Sequence, residues 1–173
     1  MRRGFTLIEF IVIMAIIGVI VAIAIPSFTG YMKYAQARSG IDRVVSDLRF
    51  ARQRAISEGV EYKVVFRSSS EGEASNTYAI YRGDSANGSS SWSLLGNPVD
   101  LYREYGMRIE RIGGGDPITF SSPPDSAVFA PDGFMHTATG GRSFGGSIYL
   151  VDSRGRGWRV VVNLAGRVRV ERL

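Results

Sequence analysis

An α+β fold is predicted, with one long N-terminal helix followed by an antiparallel β head. Three observations predict it. Residues Phe5–Pro26 form an almost uninterrupted apolar run. Behind it, Ile41, Val44, Val45, Leu48, Ala51 and Ala55 recur at three- and four-residue steps, the spacing of one helix face. From Glu61 onward the pattern shortens to strand-like segments separated by clusters of Gly, Ser, Asn and Asp.

The apolar run comes first. From Phe10 to Ile25 no residue is polar, and only Thr6 and Glu9 interrupt the stretch before that. As a helix of roughly 1.5 Å per residue it reaches about 31 Å, close to the ~30 Å hydrocarbon core of a bilayer. Eleven of the sixteen residues Phe10–Ile25 are Ile, Val or Phe. At about 0.3–0.6 kcal/mol each they favour insertion by on the order of 3–7 kcal/mol. Glu9 costs about 3 kcal/mol at a bilayer centre and less near the edge, where it falls, so insertion wins. A cleaved secretory signal fits poorly: the run is long and Pro26-Ser27-Phe28-Thr29 follows it, with no small-residue cleavage pattern. A plain anchor leaves Glu9 unexplained, and an intramembrane acid calls for a partner. Arg2 and Arg3 precede the run, which places the leader in the cytoplasm and the remainder outside.

The helix is expected from about Thr6 to Glu58, loosened or kinked around Gly18, Pro26 and Gly30, and ended by Gly59. Strands are expected at Tyr62–Phe66, Thr77–Tyr81, Trp92–Leu95, Met107–Ile112, Ile118–Phe120, Ala127–Ala130, Ser147–Val151, Trp158–Val162 and Arg167–Val170. Gly83–Ser91 reads as a mobile surface loop, and His136–Gly146 as an exposed one. Four segments result: a basic leader over 1–4, a membrane or filament-core helix over 5–26, an amphipathic helix over 27–59, and a β-rich head over 60–173.

The 173 residues carry a net charge of +5, which falls to +3 without Arg2 and Arg3, and contain no cysteine. Disulfides, thiolate metal sites and cysteine nucleophiles are thereby excluded. His136 is the one histidine, and in a Gly/Thr-rich loop it reads as a surface residue. No serine sits in a Gly-x-Ser-x-Gly turn. Gly113-Gly114-Gly115 lacks the Lys-Ser/Thr that a phosphate loop needs, and Asp84, Asp125 and Asp132 are too scattered for a calcium loop. An enzyme is not expected, nor a cofactor or metal.

The N-terminal residues Met1-Arg2-Arg3-Gly4 and Phe5-Thr6-Leu7-Ile8-Glu9 resemble the leader and N-terminus of the type IV pilin and pseudopilin superfamily. The resemblance implies that a prepilin peptidase cuts between Gly4 and Phe5, and that the Phe5 amine is then methylated. It also implies that Glu9 pairs with a Phe5 amine during filament assembly, and that Pro26 stands where the family kinks its helix. Asp47–Phe66, the Phe129…Asp132-Gly133 stretch, Ile148–Leu150, Arg159–Val162 and Gly166–Arg169 are similar to the H-type minor pseudopilins of type II secretion and the related T- and U-type minor pilins. In that family the long helix leans on two small sheets. The implied role is a structural tip or assembly subunit of a secretion pseudopilus. Its partners would be other minor and major pseudopilins or pilins, the peptidase, an inner-membrane assembly platform and, before assembly, membrane lipid.

The last twenty residues are crowded with Arg154, Arg156, Arg159, Arg167, Arg169 and Arg172. In a strand Arg167 and Arg169 share a face, with Val168 and Val170 turned to the core. A stripe of Arg159, Arg167, Arg169 and Arg172 would hold phosphates without regard to sequence. The T-type minor pilins that capture DNA carry a similar Gly-Arg-x-Arg, which makes a DNA-binding minor pilin the alternative expectation. Equally, the stripe reads as a solvated face paired with Glu171 and Asp152, or as a docking surface for another subunit.

Overall fold

The computed structural model describes residues 6–70, 75–121, 125–137 and 139–173, the side chains of 23–28 excepted. In chain order the elements are α1 (Leu7–Glu58), β1 (Tyr62–Arg67), β2 (Thr77–Gly83), β3 (Trp92–Asp100), α2 (Leu101–Tyr105), β4 (Met107–Ile109), β5 (Ser126–Phe129), β6 (Met135–His136), β7 (Gly145–Asp152), β8 (Gly157–Asn163) and β9 (Val168–Arg172). Two compact units divide between Gln36 and Ala37, the first holding the N-terminal part of α1 and the second everything from Ala37 on.

In the second unit the apolar face of α1 is buried as its spacing predicts: Ala37, Ile41, Val44, Val45, Leu48, Ala51 and Ala55 all lie in the core. Burial of each larger member is worth roughly 1.5–3 kcal/mol. Gly59 then adopts a left-handed φ of 69°, and its N–H closes on the Ala55 carbonyl, ending the helix. Flanking that face are Arg–acid pairs one turn apart: Arg38–Asp42, Arg43–Asp47 and Arg54–Glu58. The Tyr78 hydroxyl donates to Asp47 Oδ2 at 2.6 Å, which fastens the helix to β2. Burial, reinforced by that bond to Asp47, pushes the Tyr78 phenol well above its ordinary pKa.

The strands form two antiparallel sheets, one of five in the order β3-β2-β1-β5-β6 and one of four in the order β4-β7-β8-β9. Alternation places Tyr62, Val64 and Phe66 of β1 and Trp158, Val160 and Val162 of β8 in the core. Gly40 matters at the helix–α2 approach: a Cβ there would stand 2.8 Å from Tyr105 Cβ and 2.9 Å from Met107 Sδ.

Several expectations are corrected. The helix runs unbroken from Leu7 to Glu58, without melting at Gly18, Pro26 or Gly30. One missing proline N–H removes a single rung, and the neighbouring turns keep theirs. The β3 strand extends to Asp100, past Pro98, which an edge strand tolerates because no partner needs its N–H. The unforeseen α2 follows because the Asp100 carboxylate accepts from the Arg103 N–H and Gly106 supplies a left-handed C-cap. The β4 strand stops at Ile109, and Ile118–Phe120 makes only an isolated bridge, Ile118 to Ile148. The expected loop His136–Gly146 is bounded by β6 and β7, which take its first and last residues.

The Gly83–Ser91 segment is held from beneath. The Glu61 carboxylate, 1% exposed, accepts from Gly88 N–H at 3.0 Å and Ser89 N–H at 2.7 Å, while Asp84 accepts from Ser90 and Ser91. Composition alone does not reveal a buried acid twenty-odd residues upstream. Glu61→Ala leaves both donors without an acceptor, a loss of about 1–3 kcal/mol. Amide hydrogen exchange at Gly88 and Ser89 is expected to accelerate, with Glu61→Gln intermediate.

The β7–β8 turn is organised by Asp152, which accepts from the N–H groups of Arg154 and Arg156 and from Arg156 Nε at 2.7 Å. Burial opposes its ionisation, but these hydrogen bonds prevail and hold its carboxyl below the usual range. The stabilisation is therefore present above the ordinary carboxylate pKa and is lost as pH falls through the lowered folded value. Asp152→Asn is expected to lower head stability at neutral pH, with the gap to wild type narrowing in acid, as followed by denaturant titration.

Candidate functional site

The N-terminal candidate is built on the first turn of α1. Thr6 stands just before the helix, and its Oγ1 accepts from the Glu9 N–H at 3.4 Å, while its carbonyl accepts from the Phe10 N–H. Thr-x-x-Glu before an apolar run is the spacing of a capping box, a reading missed in the sequence although the pattern was visible there. Glu9 also falls where a helix terminus favours negative charge. Its carboxylate is exposed and, among the described residues, forms no ion pair. Leu7, Ile8, Phe10, Ile11, Val12, Ile13, Met14 and onward to Val21 are exposed too, giving an apolar helix surface with one acid at its start. Among the described residues no helix is long and apolar enough to cross a membrane. The expected span Phe5–Pro26 extends beyond the described side chains at both ends, and Gly4 and Phe5 lie outside the described residues, as does the side chain of Pro26.

A second candidate lies where three stretches singled out in the sequence converge. Arg52 of α1 donates from Nε to the Gly133 carbonyl at 2.9 Å. Gly166, in the β8–β9 turn with φ of 67°, packs so closely that a Cβ would stand 2.6 Å from Gly133 O and 2.7 Å from Arg52 Nε. Two glycine turns thus grip one guanidinium. Beside it, Arg49, Arg52, Gln53, Gly166, Arg167 and Val168 line a cleft of about 430 Å³.

The C-terminal arginines are not gathered on one face. Register sets Glu171 opposite Arg159, Arg169 opposite Val161, and Arg172 opposite Trp158. Arg159 and Arg169 therefore share a face with Glu171, and both engage it, at 3.7 and 3.0 Å. Arg172 belongs to the other face by alternation. Arg167 precedes β9, its N–H donating to Asn163 Oδ1, and its side chain lines the cleft by α1. Arg156 pairs with Asp152. Val168 and Val170 do occupy the core-side register opposite Val162 and Val160, but Val170 remains 43% exposed. The reason is that β9 is the sheet's edge strand, with no further strand beside it.

His136 is half-buried, its ring nitrogens 3.3 Å from Asp132 Oδ2 and 3.4 Å from Asn87 Oδ1. Among the described residues no group of three His, Cys, Asp or Glu is placed to hold a metal.

Comparison with known proteins agrees with this architecture. Residues 1–25 match the prokaryotic N-terminal methylation motif, and residues 41–166 match the family described as type II transport protein GspH. The type IV major fimbrial protein FimA of Dichelobacter nodosus is 41% identical over 69 residues, 38% of this chain and 42% of the relative. A fimbrial protein of Pseudomonas aeruginosa is 43% identical over 60 residues, 35% of this chain and 38% of the relative. The chain thus spans about two fifths of the length of these curated relatives. Among solved structures, the minor pseudopilin EpsH from the type 2 secretion system of Vibrio cholerae aligns with a TM-score of 0.53 at 12% identity, covering 79% of this chain and 97% of that one. The type IV minor pilin FimU of Pseudomonas aeruginosa aligns with a TM-score of 0.50 at 13% identity, covering 82% and 92%. With the match extending over most of its length, the chain belongs to the type II transport protein GspH family and has the fold of the minor pseudopilins and pilins.

Proposed function

We propose that this protein is a minor pseudopilin, a structural tip or assembly subunit of a type II secretion pseudopilus that supports protein export. The observation that carries this reading is the exposed apolar face of α1 with Glu9 in its first turn, on a chain whose head belongs to the GspH family. Before assembly the Phe5–Pro26 segment sits in the inner membrane, with residues 1–4 cytoplasmic and the head periplasmic. The prepilin peptidase removes 1–4, the Phe5 amine is methylated, and the assembly platform moves the helix from lipid into a bundle of like helices. Lipid contact is exchanged for helix–helix packing, and Glu9 meets the amine of a neighbouring Phe5. A charge in an apolar bundle is tolerated when paired and costs several kcal/mol when not, so this match sets the register of the incoming subunit.

A second reading, a minor pilin of a surface type IV pilus, is favoured by the N-terminal identity to fimbrial proteins. Its DNA-binding form is the less supported, because Arg159 and Arg169 are already engaged with Glu171. Deleting the gene separates the two: the preferred reading expects loss of protein export with surface pili intact. Loss of pili with export intact would establish the second. Processing gives a further expected outcome. Gly4→Glu leaves the leader attached, raising the mass of the membrane form by that of residues 1–4, whereas an unaltered mature mass would remove the assigned cleavage site.

A further inference from the structure

The arginines of α1 divide into two sets. Arg38, Arg43 and Arg54 each have an acid one turn later, and each is paired with it. Arg49 and Arg52 have Gln53 and Ile56 at that position, so the helix supplies them no acid. Both line the cleft that also takes Arg167, and no acidic residue lines it. Neither Arg49 nor Arg167 has an ion pair among the described residues. Three guanidinium groups in one cleft repel one another, and the fold nonetheless holds the central one in place. Arg52 is half-buried, anchored to the Gly133 carbonyl and backed by Gly166, whose missing side chain makes the room. A fixed guanidinium fork flanked by two freer ones is suited to bidentate capture of oxyanions.

The rest of the lining decides which oxyanion. Gln53 adds an amide, and Val168 adds an apolar, half-buried wall. The volume, about 430 Å³, is that of a few side chains. Nucleic acid would need a continued basic track, and the neighbouring arginines do not continue one. Arg159 and Arg169 are committed to Glu171, Arg156 to Asp152, and Arg172 stands on the other face of its strand.

We propose that the cleft formed by Arg49, Arg52 and Arg167 docks an acidic segment of a neighbouring protein subunit, seating two or more of its carboxylates. The proposal rests on the filament-subunit reading for the identity of the neighbour, but its chemistry is tested separately. In the full chain held in detergent micelles, arginine side-chain NMR resonances are followed during titration with a hexaglutamate peptide, with inorganic phosphate, and with a short DNA duplex. The expected result is saturable binding of the peptide that shifts Arg49, Arg52 and Arg167 and leaves Arg38 and Arg54 in place, weakened by added salt. Arg49→Gln with Arg167→Gln, both at exposed positions and expected to leave the unfolding temperature unchanged, should reduce peptide affinity by about tenfold. Peptide binding unaltered in that variant would overturn the proposal. So would phosphate binding as tightly as the peptide, which would mean a nonspecific anion site. Tighter binding of the duplex, with Arg159, Arg169 and Arg172 shifting as well, would reassign the surface to nucleic acid. The two readings fail independently: a Glu9→Leu protein that still assembles removes the filament mechanism without touching the titration, and an inert cleft leaves assembly standing.

Discussion

Glu9→Leu protein is expected to accumulate in the membrane and to be strongly depleted from filaments. The substitution does not harm the helix as an anchor. It exchanges an acid that opposes insertion for a residue that favours it, by about 3 kcal/mol near a bilayer centre and less at the edge. What the helix loses locally is one favourable charge in its first turn, worth about 0.3–1 kcal/mol. Neither effect excludes a subunit from a filament. The proposed pairing does, because a neighbour's amine left without its acid inside an apolar bundle costs on the order of 3–5 kcal/mol. Incorporation, measured as the ratio of subunit in sheared filaments to subunit in membranes, is therefore expected to fall at least about tenfold. Glu9→Gln separates this role from helix capping. Gln reaches back to the helix start much as Glu does but carries no charge. If Glu9 only caps the Thr6 turn, Gln restores incorporation; if it pairs with an amine, Gln fails like Leu.

Gly166→Ala is expected to destabilise the head strongly. Its φ of 67° is strained for any residue with a side chain, at a cost of about 1–3 kcal/mol. The added Cβ would meet Gly133 O at 2.6 Å and Arg52 Nε at 2.7 Å, so the Arg52–Gly133 hydrogen bond must yield as well. That adds about 1–3 kcal/mol. At roughly 2–4 °C per kcal/mol, the thermal midpoint of the head should fall by on the order of 4–24 °C. Gly155→Ala is the matched control: its φ is also positive, at 77°, but nothing lies within 4 Å of the new Cβ, so only the backbone strain applies. Equal midpoints for the two variants would show that the grip on Arg52 contributes nothing.

The fold was legible where a pattern is written in neighbouring residues. The α1 face from Ile41 to Ala55, the Gly59 stop and the β7–β8–β9 meander follow from spacing and turn residues alone. Much of what was missed depends on residues far apart in the chain. Glu61 reaches under Gly88 and Ser89, and Arg52 reaches Gly133 and Gly166, contacts that no local window contains. The C-terminal arginines illustrate the limit from the other side. Their crowding was plain, and alternation correctly set Val168 and Val170 apart from Arg169. Only the register, which brings Glu171 opposite Arg159, and the turn, which sends Arg167 to α1, divided the stripe into an engaged pair and a cleft. The short α2 was readable, since Asp100 and Gly106 are an ordinary cap pair, but five residues give too little periodicity to stand out.

The central claim is that the N-terminal part of α1 leaves lipid to pack against like helices. Val12 lies on its exposed surface, and a photo-reactive residue placed there reports directly on what that surface touches. Covalent adducts with other pilin-like subunits are expected, appearing only while the assembly machinery is active. A well-expressed, membrane-held protein that forms adducts with lipid alone under those same conditions would contradict the claim.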